Sequence, residues 1–442
     1  MKTRIRYLWE QLRSTYWFIP MAMVASAVML STASVLLDRA IQEEGTQSLE
    51  WLYSGGPAEA RALLSTIAAS MINVAGVTFS ITIVTLSLAS SQFGSRLLRS
   101  FMRDTGNQVV LGTFVATFLY ALLVLQTISE VEGRVFVPRI SVTIGTLLAA
   151  AGVAVLIYFI HHVSASIQAE NVIAAVGRDL DSAIDRLFPE QAEGAPEVGR
   201  GQTDEPAAER FERLGHPIPA TRTGYLQAID QDGLMNLATE IDMVLRVKRR
   251  PGDFVVEQGD LVLVWPPDKV NDELVKRVND AFILGARRLR LQDVEFAINQ
   301  LVEIAVRALS PGINDPFTAI ASIDRLGASL AHLAERGIPA AHHYDDDGHL
   351  RLVTDVVTFP GVVDAAFNQI RQHATSSVAV TIRLLEAIAI IAAHTRTEEQ
   401  REALRHQAEM IWQSSNEALP EDSDRKDMKD RYQLVLRTAK PD

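Results

Sequence analysis

The hydrophobic pattern of the chain is dominated by one run. Residues 62–95 contain thirty-four consecutive positions without a charged side chain, bracketed by Arg61 and Arg96. As a helix this run would extend roughly 50 Å, against a hydrocarbon thickness of about 30 Å, so it predicts a membrane span that tilts or runs past the bilayer. By the 100° rule Thr66, Ser70, Asn73, Ser80 and Ser87 share one face, Thr78, Thr82, Thr85 and Ser91 share another, and Ile72, Phe79, Ile83 and Leu86 form a narrow apolar stripe. Only the stripe suits lipid. Polar groups at membrane depth need partners, so the span is expected to be surrounded by protein. Two readings stay open: the hydroxyls bond their own backbone and permit close packing around Gly76, or one face lines a hydrated path.

Three further uncharged runs complete a set of four predicted spans, at about 17–37, 65–92, 108–128 and 140–160. Small residues at helix-packing intervals mark the last two: Gly112 with Ala116, Thr113 with Thr117, and Gly145 with Ala149. With the N-terminus inside, seven basic residues fall in inside segments and four in outside segments, which predicts both termini in the cytoplasm. The first apolar run exceeds the 7 to 15 residues usual in a cleavable signal and is read as an uncleaved span. The loop from Asp38 to Arg61, rich in acids, belongs outside. Arg96, Arg99 and Arg103 recur at i, i+3 and i+7 just inside; they fit a positive-inside anchor or a cationic ring at the mouth of a pore. His161 and His162 end the fourth span and read as interfacial histidines.

Beyond the spans the pattern changes period. An amphipathic helix over 165–187 leads into a proline-rich linker, so that 165–220 reads as connecting helix and linker. Short apolar runs at 225–229, 243–247, 254–256 and 261–265, broken by Arg250-Pro251-Gly252-Asp253 and Gln258-Gly259-Asp260, predict a small β module over 221–267. From 268 to 442 the pattern is mainly helical, with helices over 268–284, 292–309, 316–336, 359–393, 397–419 and 424–437, and a hairpin or extended excursion over 344–357 turning at Asp347-Gly348. Thr397 with Gln400 predicts a capping box, and Asp315 before Pro316 predicts an N-cap. The fold class is therefore a mainly α membrane protein: a four-span domain over 1–164 and a cytosolic α+β domain with a small β module and a helical C-terminal part.

Charge and composition then narrow the function. Residues 1–169 carry eleven basic and nine acidic side chains, a net of +2, and since the whole chain is −12, residues 170–442 carry −14. That balance argues against a nucleic-acid partner. The chain has no cysteine, which excludes disulfides, thiolate metal sites and a cysteine nucleophile. His342, His343, Asp345, Asp346, Asp347 and His349 lack both calcium-loop and zinc-hydrolase spacing and read as a solvated turn, so no metal and no cofactor is expected. Ser310, Gly312, Asn314 and Asp315, in Ser310-Pro311-Gly312-Ile313-Asn314-Asp315-Pro316, read as a helix stop and capped restart, with anion capture at the following helix N-terminus as the functional alternative. No catalytic motif is present, and an enzyme is not expected.

Three stretches resemble a bacterial family of predicted membrane proteins, domain of unknown function 2254. They are Thr78-Phe79-Ser80-Ile81-Thr82 through Ser87-Leu88-Ala89-Ser90-Ser91-Gln92-Phe93 with Arg96-Leu97-Leu98-Arg99 and Phe101-Met102-Arg103-Asp104; Gly224-Tyr225-Leu226-Gln227 with Arg250-Pro251-Gly252-Asp253-Phe254; and Ala308-Leu309-Ser310-Pro311-Gly312-Ile313-Asn314-Asp315-Pro316. The resemblance implies the same layout of four spans and a large soluble C-terminal part, and it brings no catalytic residues. From the span pattern we expect an oligomeric ion channel or transport protein of the bacterial inner membrane, its path lined by Asn73, Ser80, Ser87, Thr78, Thr82 and Thr85, with Arg96, Arg99 and Arg103 at the cytosolic mouth. The expected partners are the lipid bilayer, further copies of the chain, and a small ion or solute. The competing class is a non-conducting membrane-anchored sensor or scaffold whose cytosolic domain binds a ligand or protein.

Overall fold

The structure, a computed structural model, describes residues 17–44, 53–94, 104–131, 134–166, 168–190, 214–289 and 291–440. It divides into two compact units, Met1–Asn171 and Val172–Asp442.

The first unit contains helices α1 (Phe18–Glu44), α2 (Pro57–Phe93), α3 (Thr105–Leu125) and α4 (Arg139–Ser166), with a hairpin of β1 (Ser129–Val131) and β2 (Arg134–Phe136) before α4. All four helices are long and apolar enough to cross a membrane. Pro57 opens α2 in its first turn and Gly94, at φ 103°, ends it. At 37 residues α2 spans roughly 55 Å. Gly112 and Gly145, singled out in the sequence, meet neighbouring helices inside this unit, and so does Gly152, which was not. A Cβ on Gly112 would sit 2.5 Å from Met23 Sδ of α1; one on Gly145 would lie 3.2 Å from Leu64 of α2 and 3.6 Å from Tyr120 of α3; one on Gly152 would lie 3.2 Å from Met71 and 3.7 Å from Phe114. The glycines are what let these helices approach so closely.

Asp38 corrects the expected loop boundary. Counted from the sequence among the outside loop acids, it lies instead within α1 and is buried. The reason is a set of three donors at the start of α4: Ile140 N at 2.8 Å, Ser141 N at 2.9 Å and Ser141 Oγ at 2.7 Å. The carboxylate thus caps α4 from another helix, satisfying N–H groups a helix cannot satisfy itself. Ser34, Tyr120 and Ser141 extend the network: the Tyr120 hydroxyl donates to Ser141 O at 3.0 Å and lies 3.1 Å from Ser34 Oγ.

Most of helix α5 (Ala169–Leu187) belongs to the second unit. The β module contains β3 (His216–Pro219), β4 (Gly224–Ile229), α6 (Gln231–Glu240), β5 (Val244–Val247), β6 (Phe254–Val255), β7 (Asp260–Trp265), α7 (Asp272–Asp280) and β8 (Phe282–Gly285). The helical part has α8 (Val294–Ala308), α9 (Pro316–Ala334), α10 (Phe359–Ala374), α11 (Val378–Ala392), α12 (Glu398–Ala418) and α13 (Asp422–Thr438), with a hairpin of β9 (His342–Tyr344) and β10 (Leu350–Val353) after α9.

Among the described residues the strands of the second unit form two sheets, ordered β3-β7-β5-β10-β9 and β6-β4-β8. Only β5 and β10 run parallel, with Leu352 opposite Leu245. Leu226, Leu234, Leu245, Val262, Val278 and Leu352 share one core, so the sheet module takes in residues on both sides of α8 and α9. The helix expected over 268–284 is shorter and ends at Asp280, because Phe282–Gly285 pairs with β4 instead. The single helix expected over 359–393 is two, interrupted at Thr375–Ser377, where the Thr381 hydroxyl donates to Ala374 O and Ser377 O. The capping box at Thr397 and Gln400 is present in full. Helix α5 docks on α9 through Ser329 Oγ to Asp181 at 2.6 Å and a triad of Asp185, His332 and Arg336.

Candidate functional site

The two polar faces of α2 go to opposite environments. Leu64, Met71, Ala75 and Thr78 are buried against the unit, whereas Thr66, Ser70, Asn73, Ser80 and Ser87 are exposed. At 100° per residue Asn73 lies about 160° around the helix from Met71, so its face points almost straight away from the four-helix core. Thr78 is fully inside at 2% exposure, and Thr82 and Thr85 are half-buried. Sequence reasoning found both faces but could not say which one turned inward.

The outward face has a stricter period than a helix alone requires. Thr66, Asn73, Ser80 and Ser87 repeat every seven residues, Ala62, Ala69 and Gly76 repeat at the same interval, and all seven are exposed. The second row lies about 40° from the first. A seven-residue repeat keeps one seam facing a partner helix along its whole length, and small side chains let the backbones come close. That period was present in the sequence and was the signal to read. Several hydroxyls here bond their own helix: Thr66 Oγ1 donates to Ala62 O at 2.7 Å, Ser80 Oγ to Gly76 O at 2.9 Å and Thr82 Oγ1 to Thr78 O at 2.8 Å. Arg96, Arg99 and Arg103 lie outside the described residues.

At the end of the unit where α2 finishes and α3 begins, a second polar cluster forms. Asp104 caps α3, accepting from Gly106 N at 2.8 Å, and its other oxygen lies 2.5 Å from His162 Nε2 of α4. The His162 ring stacks on Tyr158 with centroids 5.2 Å apart. A Cβ on Gly106 would meet His162 Nε2 at 2.7 Å, so a glycine is needed for α3 to start here.

In the second unit, the loop of Ser310, Gly312, Asn314 and Asp315 satisfies its own groups. Ser310 Oγ donates to Arg307 O at 2.7 Å, Asn314, at φ 52°, donates from N to Ser310 O at 2.9 Å, and Asp315 accepts from Thr318 N at 3.1 Å and Thr318 Oγ1 at 2.6 Å. The Asp315 carboxylate therefore stands where an outside anion would bind the α9 N-terminus. Gly312 and Asn314 are exposed, and Phe317 beside them is 82% exposed. Asp345, Asp347 and His349 lie close enough to approach one ion, but Asp345 is engaged by Arg351 Nε at 2.6 Å and by its own turn at His349 N, 2.8 Å.

The most perturbed carboxyl outside the spans is Asp293. It is 3% exposed, caps α8 by accepting from Phe296 N at 3.1 Å, and pairs with Arg288 through Nε at 2.8 Å. Burial pushes it up to about 6, outweighing the opposing pull of Arg288. Gly252, at φ 104°, presses on this pair; a Cβ there would lie 2.6 Å from Asp293 Oδ2. Arg250 completes the joint with Glu295 at 2.9 Å. The cluster ties the turn Arg250-Pro251-Gly252-Asp253 to the start of α8 and faces no reacting group.

Comparison with known proteins agrees with this architecture. The chain is 31% identical over 430 residues to the uncharacterized protein Rv1290c of Mycobacterium tuberculosis, covering 96% of this chain and 81% of that one. The uncharacterized protein Mb1321c of Mycobacterium bovis matches with the same identity and coverage. No solved structure matches. A family model described as Predicted membrane protein (DUF2254) matches residues 13–389, and the chain belongs to that family.

Proposed function

We propose that several copies of this chain assemble through the outward face of α2 and that the face lines a path for a small ion or solute. On this reading the protein is an oligomeric channel or transport protein of the bacterial inner membrane with both termini in the cytoplasm. One observation carries it: Asn73 and its polar neighbours are exposed on a helix long and apolar enough to cross a membrane. A carboxamide facing hydrocarbon is costly, and such groups in membranes mark helix contacts or water-filled cavities. Around a symmetry axis the Thr66, Asn73, Ser80 and Ser87 column turns inward, while Ala62, Ala69 and Gly76 sit at the contacts between copies. The three arginines that follow in sequence would give the inner mouth a preference for anions.

Ion flux from liposomes containing the full-length protein tests this. Asn73→Leu is expected to abolish flux, and Arg99→Glu to shift it from anions toward cations. Flux indifferent to Asn73→Leu, or no flux from assembled protein, contradicts the reading and favours the membrane-anchored sensor or scaffold, for which the separate core of the second unit speaks.

A further inference from the structure

Inside the four-helix unit α4 meets α2 at positions seven residues apart on each helix. Gly145 meets Leu64 and Tyr120, and Gly152 meets Met71 and Phe114. Seven residues further along α2 and α4, and seven back along α3, stand Thr78, Phe159 and Asn107, all three buried. Unlike Met71 and Phe114, two of these three side chains are polar. Thr78 Oγ1 and Asn107 Oδ1 are buried with no hydrogen-bond partner among the described residues. The Asn107 amide nitrogen donates to Asp104 Oδ2 at 3.4 Å, which leaves its oxygen as the buried atom without a partner. Thr78 also differs from Thr66, Ser80 and Thr82, which each donate to the carbonyl one turn back.

Two buried, unpartnered oxygens on facing helices describe a site that wants a small hydrogen-bond donor. We propose that a bound water bridges Thr78 and Asn107 and extends the polar column of His162, Asp104 and Asn107 into the core, as far as the apolar layer of Met71 and Phe114. A bare cation suits the site less well. The nearby carboxylate, Asp104, is already engaged by His162 and Gly106 N, and Thr78 and Asn107 bring no negative charge. A water donates to the Asn107 oxygen and makes one further hydrogen bond with the Thr78 hydroxyl, which serves as acceptor or donor. The column lies on the inward face of α2, away from Asn73, and is independent of any path between copies.

Solid-state magnetic resonance of the full-length protein in lipid bilayers tests this directly. Polarisation from water protons should reach the Thr78 and Asn107 side chains at short mixing times and Met71 and Phe114 only later. Equally slow transfer to all four overturns the proposal. Melting temperatures give a second test. Thr78→Val and Asn107→Leu should each lower the melting temperature, the double variant should lower it no further than the worse single one, and Thr78→Ser should leave it in place, because losing either partner expels the same water. Single variants that raise the melting temperature, as removal of a dry unpaired oxygen would, or effects that add, overturn it. Neither readout involves flux or assembly.

Discussion

Asp293 shows how much a single buried group can weigh in the second unit. Its folded-state value of about 6 lies above the ordinary aspartate value of 3.8, so the folded state binds the proton more tightly than the unfolded chain does. The stability this contributes is fully present below the unfolded value and is lost as pH rises through about 6. A difference of that size corresponds to about 3 kcal/mol. The stability of wild type relative to Asp293→Asn should therefore fall by about that much between pH 4 and pH 7, as read from denaturation at a series of pH values. Gly252→Ala should destabilise by roughly 2 kcal/mol at neutral pH, since φ 104° is strained for alanine and the new methyl meets the Asp293 carboxylate. The turn at Arg250-Pro251-Gly252-Asp253 was legible from its residue types. Its partner was not, because Asp293 lies about forty positions away and meets the turn only through the close approach of Gly252 and the Arg250–Glu295 pair.

Among the elements, α2 was the most legible and also the most ambiguous. Its length, its two polar faces and its apolar stripe follow from a 3.6-residue period. Which polar face turns inward depends on Gly145 and Gly152 of α4 admitting Leu64 and Met71, and within α2 only the seven-residue repeat of the outward row hints at that choice. The end of α1 was misplaced for a similar reason: Asp38 resembles a loop acid until the N–H groups of α4 are beside it. Asp38→Ala removes the acceptor for three donors and should lower stability by about 3 kcal/mol, more than Asp38→Asn, which keeps one acceptor oxygen. Thermal unfolding in detergent would measure both. In the second unit, Thr397→Ala should cost about 1 kcal/mol by removing a capping box that was readable from two residues three positions apart.

At the scale of the whole molecule, the division into a membrane unit and a larger polar unit follows from where the charges stop and start. The extent of the sheet does not. Strand β10 joins β5 from about a hundred residues further along, and a parallel neighbour at that separation leaves no trace in local sequence. Family membership leaves the activity to be argued from α2, whose outward face carries the Asn73 carboxamide on a helix long and apolar enough to cross a membrane. The most direct measurement uses the absence of native cysteine. Single cysteines placed at Asn73, Ser80 and Met71 in the full chain, oxidised in native membranes, should give intermolecular disulfides at Asn73→Cys and Ser80→Cys and none at Met71→Cys. Cross-linking confined to the apolar stripe, as at Phe79→Cys, or absent from every outward position of folded protein, would contradict assembly through this face and with it the path it is proposed to line.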